Sequence, residues 1–174
     1  AFRDEIKRNM EREAELTLRR QVKDAVFDKL NEENSVELPQ TLVNSEQHRV
    51  RQELENNLKQ PGLDAGALDK ADPEVFVDQA KKRVALQLIV GEIIRQNELK
   101  ADPAKVRQLI EQAAAGYEDP NAVINWYYSD QKNLKEVEAL ALEDTVVDWV
   151  LEHANVTEKV STFDEIMNKG QTAE

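Results

Sequence analysis

Three Asp-Pro pairs, Asp72-Pro73, Asp102-Pro103 and Asp119-Pro120, each stand directly before a run of strong helix formers. An Asp side chain accepts a hydrogen bond from an orphan amide of a helix's first turn, and Pro at the first helical position gives up a donor that had no partner there. The same Pro cannot sit inside a helix or a central strand, so each pair predicts a helix start and bounds the chain to a helical parse.

From Phe2 to about Glu33 there is neither Gly nor Pro, which predicts one long helix. Ile6, Met10, Leu18, Val22, Val26, Phe27 and Leu30 make a narrow apolar stripe on it, too small to stand without a partner later in the chain. Pro39 is expected to start a second, unusually polar helix that stops near Pro61-Gly62, followed by a loop over 61–71. The third runs from Asp72 to about Asn97; its apolar residues from Val84 to Ile94 cover most of the circumference, so it should lie between neighbours. Gly91 within it marks either a close backbone approach or a tolerated cost of about 1 kcal/mol. A fourth helix, 103–115, should end at Gly116; a fifth covers 120–128 and a sixth 132–154. After Asn155 the alternation of Val156, Lys159 and Val160 suits extended chain, and Thr162 with Glu165 resembles a capping box for a terminal turn over 163–168.

The formal charge of -12 is uneven: residues 1–60 hold 11 basic and 13 acidic side chains, residues 61–174 hold 12 and 22. Between Glu111 and Glu158 eleven acids face only Lys132 and Lys135, which opposes direct nucleic-acid binding there. No apolar run approaches the roughly 18 residues of a membrane span, so no membrane partner is expected. The absence of cysteine excludes disulfides and thiolate metal sites and suits a cytoplasmic setting. Ala1 to Arg20 lacks the apolar core of a signal peptide, and a start without Met in mid-helix pattern suggests a piece of a longer protein.

Catalytic constellations are missing. Neither His48 nor His153 follows a Glu by three residues, as the Glu-x-x-His pairs of di-iron bundles require, and five scattered glycines make neither a nucleophile elbow nor a phosphate loop. Adjacent carboxylates such as Glu143 and Asp144 diverge on a helix and read as solubility. No metal, cofactor or enzymatic activity is therefore expected of these residues. What stands out is Trp126, Tyr127 and Tyr128, which project about 100° apart and cannot all face one core, with Tyr117 nearby. At least one exposed ring is expected, and exposed apolar patches mark interaction surfaces.

The stretch from Ala80-Lys81-Lys82-Arg83-Val84 through Gly91-Glu92-Ile93-Ile94-Arg95-Gln96-Asn97-Glu98-Leu99-Lys100-Ala101-Asp102 resembles the C-terminal domain of bacterial trigger factor. So do Tyr117-Glu118-Asp119-Pro120, Val156-Thr157-Glu158-Lys159 and the opening Ala1-Phe2-Arg3-Asp4-Glu5 with Asn9-Met10-Glu11-Arg12-Glu13, in order along essentially the whole chain. A weaker similarity through 97–128 extends to SurA-type chaperones. The resemblance implies an all-α fold: an elongated multi-helix body with two helical arms. Residues 1–174 would form a single chaperone domain, with a long helix over 1–38, a first arm over 39–99, a second over 100–155 and a return segment over 156–174.

It also implies an ATP-independent chaperone that shelters unfolded or nascent polypeptides in a cradle and aids folding and export. Homodimerisation is a further possibility. Prolyl isomerase activity and ribosome docking would belong to upstream modules of the parent: the family's docking segment, Gly-Phe-Arg followed by a basic signature, does not occur here, where Phe2-Arg3 is preceded by Ala1, and no FKBP-like segment is found in these residues. Met10, Leu42, Val50, Phe76, Tyr117, Tyr127, Tyr128 and Met167 are the candidate client-facing residues, by burial of apolar groups, with core packing as the alternative for each. The rival reading is a helical adaptor or dimerisation scaffold with one defined partner.

Overall fold

The computed structural model describes residues 2–58 and 73–169. Among these residues the chain is all-α, with seven helices and no strand. They are α1 (Phe2–Glu33), α2 (Gln40–Leu58), α3 (Pro73–Gln96), α4 (Pro103–Ala114), α5 (Pro120–Ser129), α6 (Gln131–His153) and α7 (Phe163–Lys169). The expected loop over 61–71 and the cap at Asp72 lie outside the described residues.

The Asp-Pro reading is realised in atoms where the structure describes it. Asp102 Oδ1 accepts from the Ala104 amide at 2.8 Å, and Asp119 Oδ1 from the Ala122 amide at 3.1 Å, with Pro opening the helix in both cases. Asp130, which has no Pro after it, ends α5 and caps α6 through the Lys132 amide at 2.8 Å. The capping box is also formed: the Thr162 amide donates to Glu165 Oε2 at 2.9 Å and the Glu165 amide to Thr162 Oγ1 at 3.4 Å.

Helix C-termini obey different chemistry from the one expected. At the end of α4 the cap is Ala115, in ordinary right-handed conformation, and Gly116 lies just beyond it. The left-handed residue is instead Glu98 (φ 50°), just past α3, where Gly would be unstrained. Gly91 has no neighbouring heavy atom within 4 Å of where a Cβ would stand, so it is a tolerated glycine and not a close approach.

The chain divides into two compact units, one within Ala1–Asp28 and Asn97–Glu174, the other within Lys29–Gln96. In the first, α4 and α6 bury Val106, Ile110, Val137 and Ala141, and Ile124, Tyr127 and Leu134 pack against that cluster. α1 joins this unit through long polar side chains. Lys23 Nζ reaches Glu143 Oε2 at 2.8 Å and Asp144 Oδ1 at 3.4 Å, and Arg19 lies 3.6 Å from Asp144. Gln21 Nε2 donates to the Ile166 carbonyl at 2.7 Å, tying α1 to α7. Glu143 and Asp144 thus do not serve solubility alone. Asp144 is largely screened from water and receives two cations from α1, a pairing invisible to a local reading because its partners lie more than a hundred residues away.

In the second unit α2 packs on α3 around Val43, Ala80 and Val84, with Leu38 and Leu88 against them. Buried Glu46 is met by Arg83 Nη1 at 3.4 Å, and the same nitrogen reaches Glu53 at 2.8 Å. Along α3, Phe76, Ala80, Val84 and Ile89 are buried, and Leu86, Leu88, Val90, Ile93 and Ile94 are half-buried. Residues 155–162 are neither helix nor strand; the Val156-to-Val160 alternation has no sheet to join, and Val160 is 98% exposed.

Candidate functional site

The end of α4, the turn after it and α5 enclose an open groove of about 410 Å³ lined by Ala113, Tyr117, Ala122, Val123, Trp126 and Tyr127. Its position follows from local rules. Asp119 and Pro120 start α5 only a short turn after α4 stops, so the two helices converge at Tyr117. Ala122, Val123 and Trp126, at i, i+1 and i+4, then share one face of α5. Small Ala113 and Ala122 leave the room that the rings border.

Within the groove the rings have distinct duties. Tyr127 is half-buried and packs on the Val106–Ile110–Val137–Ala141 cluster, so the core holds it. Trp126 meets it edge to face, with centroids 5.0 Å apart and planes at 74°, which anchors an otherwise free indole. Trp126 is 55% exposed and Tyr117 62%, large values for rings of that size. Ser129 Oγ donates to the Trp126 carbonyl at 2.9 Å and steadies the last turn of α5. The rim is acidic. Glu118 and Asp119, which follow Tyr117 in the chain, are exposed. The site can therefore bury apolar or aromatic groups and favours a positive charge beside them.

Of the eight candidate residues, the structure brings only Tyr117 and Tyr127 together. Tyr128 is half-exposed but outside the groove lining. Met10 is exposed on α1, and Met167 is half-buried on α7. Leu42 is exposed on α2, but Val50 (4% exposed) and Phe76 (9%) are interior residues of the Lys29–Gln96 unit. Those two offer almost no surface to a ligand in this fold, because their side chains are spent in the interior. Trp126, with Val123 and the two alanines, was missed as a groove residue; the i, i+1, i+4 spacing on α5 was the available signal.

Among the described residues no group of three or more His, Asp and Glu side chains is placed to hold a metal, and no helix is long and apolar enough to cross a membrane. His153 Nδ1 lies 2.7 Å from the Trp149 carbonyl and its ring stacks on Trp149 at 4.3 Å, which gives it a structural role.

Comparison with known proteins extends this picture. A family profile described as bacterial trigger factor protein (TF) C-terminus matches residues 1–152. The trigger factor of Teredinibacter turnerae is 46% identical over 169 residues, covering 95% of this chain and 38% of that protein. That of Stutzerimonas stutzeri is 41% identical over 174 residues, 98% of this chain and 38% of the relative. The Dechloromonas aromatica protein is 40% identical over 170 residues, 98% of this chain and 39% of its own length. The chain thus spans under two-fifths of the curated relatives it matches.

Proposed function

The chain belongs to the bacterial trigger factor C-terminal family, and from that premise we propose that it is a chaperone domain holding unfolded or nascent polypeptides, without ATP, by dispersed and individually weak contacts. The observation that carries this reading is the aromatic groove: two large rings, Tyr117 and Trp126, kept more than half in water beside a core that could have covered them. An exposed pair of this kind has a cost in solubility that a binding role explains.

Magnitudes favour transient holding. Burying about 400 Å² of apolar client surface yields roughly 10 kcal/mol gross at about 25 cal/mol per Å². Association costs on the order of 4 to 15 kcal/mol, so one patch binds weakly. Several patches on one flexible client raise the effective affinity while each contact still releases quickly. Met10, Leu42, Tyr128 and Met167 are the further client contacts in this reading, being wholly or partly accessible.

Residues 1–174 act here as one chaperone domain, with 39–99 and 100–155 as its two arms. Prolyl isomerisation and ribosome docking belong to other modules of the parent protein, in the bacterial cytoplasm, and homodimerisation is compatible with the same surfaces. Because Tyr127 supports the core, the informative variant is Tyr117→Ser with Trp126→Ser. It is expected to keep its melting temperature and to lose several-fold of the wild-type suppression of aggregation for several unrelated denatured proteins. Undiminished suppression removes the groove from the mechanism, and protection confined to one protein would favour an adaptor.

A further inference from the structure

A second groove, of about 180 Å³, lies between α1 and α4 and has the opposite character. In a chain of net charge -12, four cations converge on it: Arg19, Arg20 and Lys23 from α1 and Lys105 from α4. Asp144 is the one carboxylate in its described lining. Arg19 and Lys23 share Asp144, Lys23 also holds Glu143, and Lys105 is paired with Asp148, so three carboxylates serve three of the cations. Arg20 has no ion pair among the described residues. Gln108 and Gln112, one turn apart on α4, add amide donors, and Leu16 and Leu109 supply apolar wall.

We propose that this groove docks an acidic stretch of the bound polypeptide, as a contact of opposite polarity to the aromatic groove; the proposal rests on the polypeptide-holding function above. Arg20 presents its guanidinium fork, which matches a carboxylate in two parallel hydrogen bonds, and the glutamines take up remaining oxygens. The methylenes of a Glu side chain lie along Leu16 and Leu109. Arg12, exposed and also without an ion pair, lies on the same side of α1 two turns before Arg19, so a second carboxylate further along an extended segment has a partner. A short acidic peptide stretch is the occupant, and not a long polyanion, because the surrounding net negative charge repels extended runs of phosphate. With both grooves, a client carrying either sign of charge finds one complementary surface.

The test uses the whole chain and two acetylated, amidated decapeptides, one alternating Glu with Leu and its twin alternating Gln with Leu. Side-chain NMR of Arg20 Nε–H and of the Gln108 and Gln112 amides reads the site, and Trp fluorescence with an aromatic, uncharged peptide reads the other groove. The Glu peptide is expected to bind about tenfold more tightly than its twin and to shift the Arg20, Gln108 and Gln112 resonances, the preference shrinking as salt rises. Arg20→Glu, and the milder Arg20→Gln, should abolish the preference while the aromatic peptide binds as before. Equal binding of the two decapeptides, or a preference that survives both variants, overturns the proposal. Failure of all three peptides to bind overturns the polypeptide-holding function itself.

Discussion

The two units solve the problem of a low-aromatic helical chain in different ways. Among its described residues the Lys29–Gln96 unit packs α2 on α3 around Val43, Ala80 and Val84, and it spends Val50 and Phe76 inside. The other unit surrounds Ile110 and Val146 with more helices and still leaves Tyr117 and Trp126 to solvent. Where α2 meets α3, Val50 and Phe76 are buried while Leu42 stays exposed, and polar groups such as Glu46 and Arg83 close the edge. A larger core releases aromatic residues for the surface. The aromatic side chains left to solvent thus gather in the α4–α6 region, Tyr117 and Trp126 among them.

The contrast is broken most directly by removing the larger core's centre. Ile110 is fully buried, so Ile110→Ala should cost about 2 to 5 kcal/mol in denaturant unfolding. If the units are energetically separate, circular dichroism should show one transition moving and another, from Lys29–Gln96, staying in place. In the smaller unit the edge is the weak point. Arg83→Met leaves buried Glu46 with Arg49, at 3.4 Å, as its remaining ion-pair partner among the described residues and should cost about 1 to 3 kcal/mol, whereas Glu46→Met should cost less, since Arg83 keeps Glu53. Equal losses for the two, in chemical denaturation, would show that Glu46 is not what Arg83 satisfies.

Two backbone changes act in the opposite direction. Glu98→Gly removes a left-handed non-glycine residue and should add about 1 kcal/mol; Gly91→Ala, into open space within α3, should add about 0.5 to 1 kcal/mol, both read by urea midpoint. The smallest effect is electrostatic and concerns the last turns of α3. Glu92 accepts from Arg95 at 2.6 and 2.9 Å and from Gln96 at 2.7 Å, which lowers its pKa to about 2. A depressed carboxylate pKa means the contribution is complete above the ordinary glutamate value of about 4.5 and is lost as pH falls through about 2. Carboxyl NMR should therefore place the Glu92 midpoint near 2 in the wild type and nearer 4.5 in Arg95→Ala, with little change in global unfolding because the group is fully exposed.

Local chemistry is legible in the order of neighbouring residues. Asp102 and Asp119 announced α4 and α5, Thr162 and Glu165 announced α7, and the uninterrupted run to Glu33 announced α1. These signals involve partners within a few residues, so spacing alone exposes them. Asp130 escaped notice because it caps without a following Pro, and Glu98 because a left-handed non-glycine residue has no compositional mark. The candidate site was half legible: three consecutive aromatic residues required exposure somewhere, but which ring faced water depended on how α5 leans on α4 and α6.

Taken alone, the sequence determined the helices, most of their starts, the acidic balance and a family resemblance, because each is written in neighbouring residues or in their order. Tertiary structure decided that Tyr127 supports the core while Trp126 and Tyr117 face a groove, that Val50 and Phe76 are interior, and that Asp144 receives Arg19 and Lys23. These outcomes depend on contacts between segments distant in the chain. No local propensity encodes them, because the free energy of burying a ring or pairing a charge is set by what the rest of the fold brings alongside it.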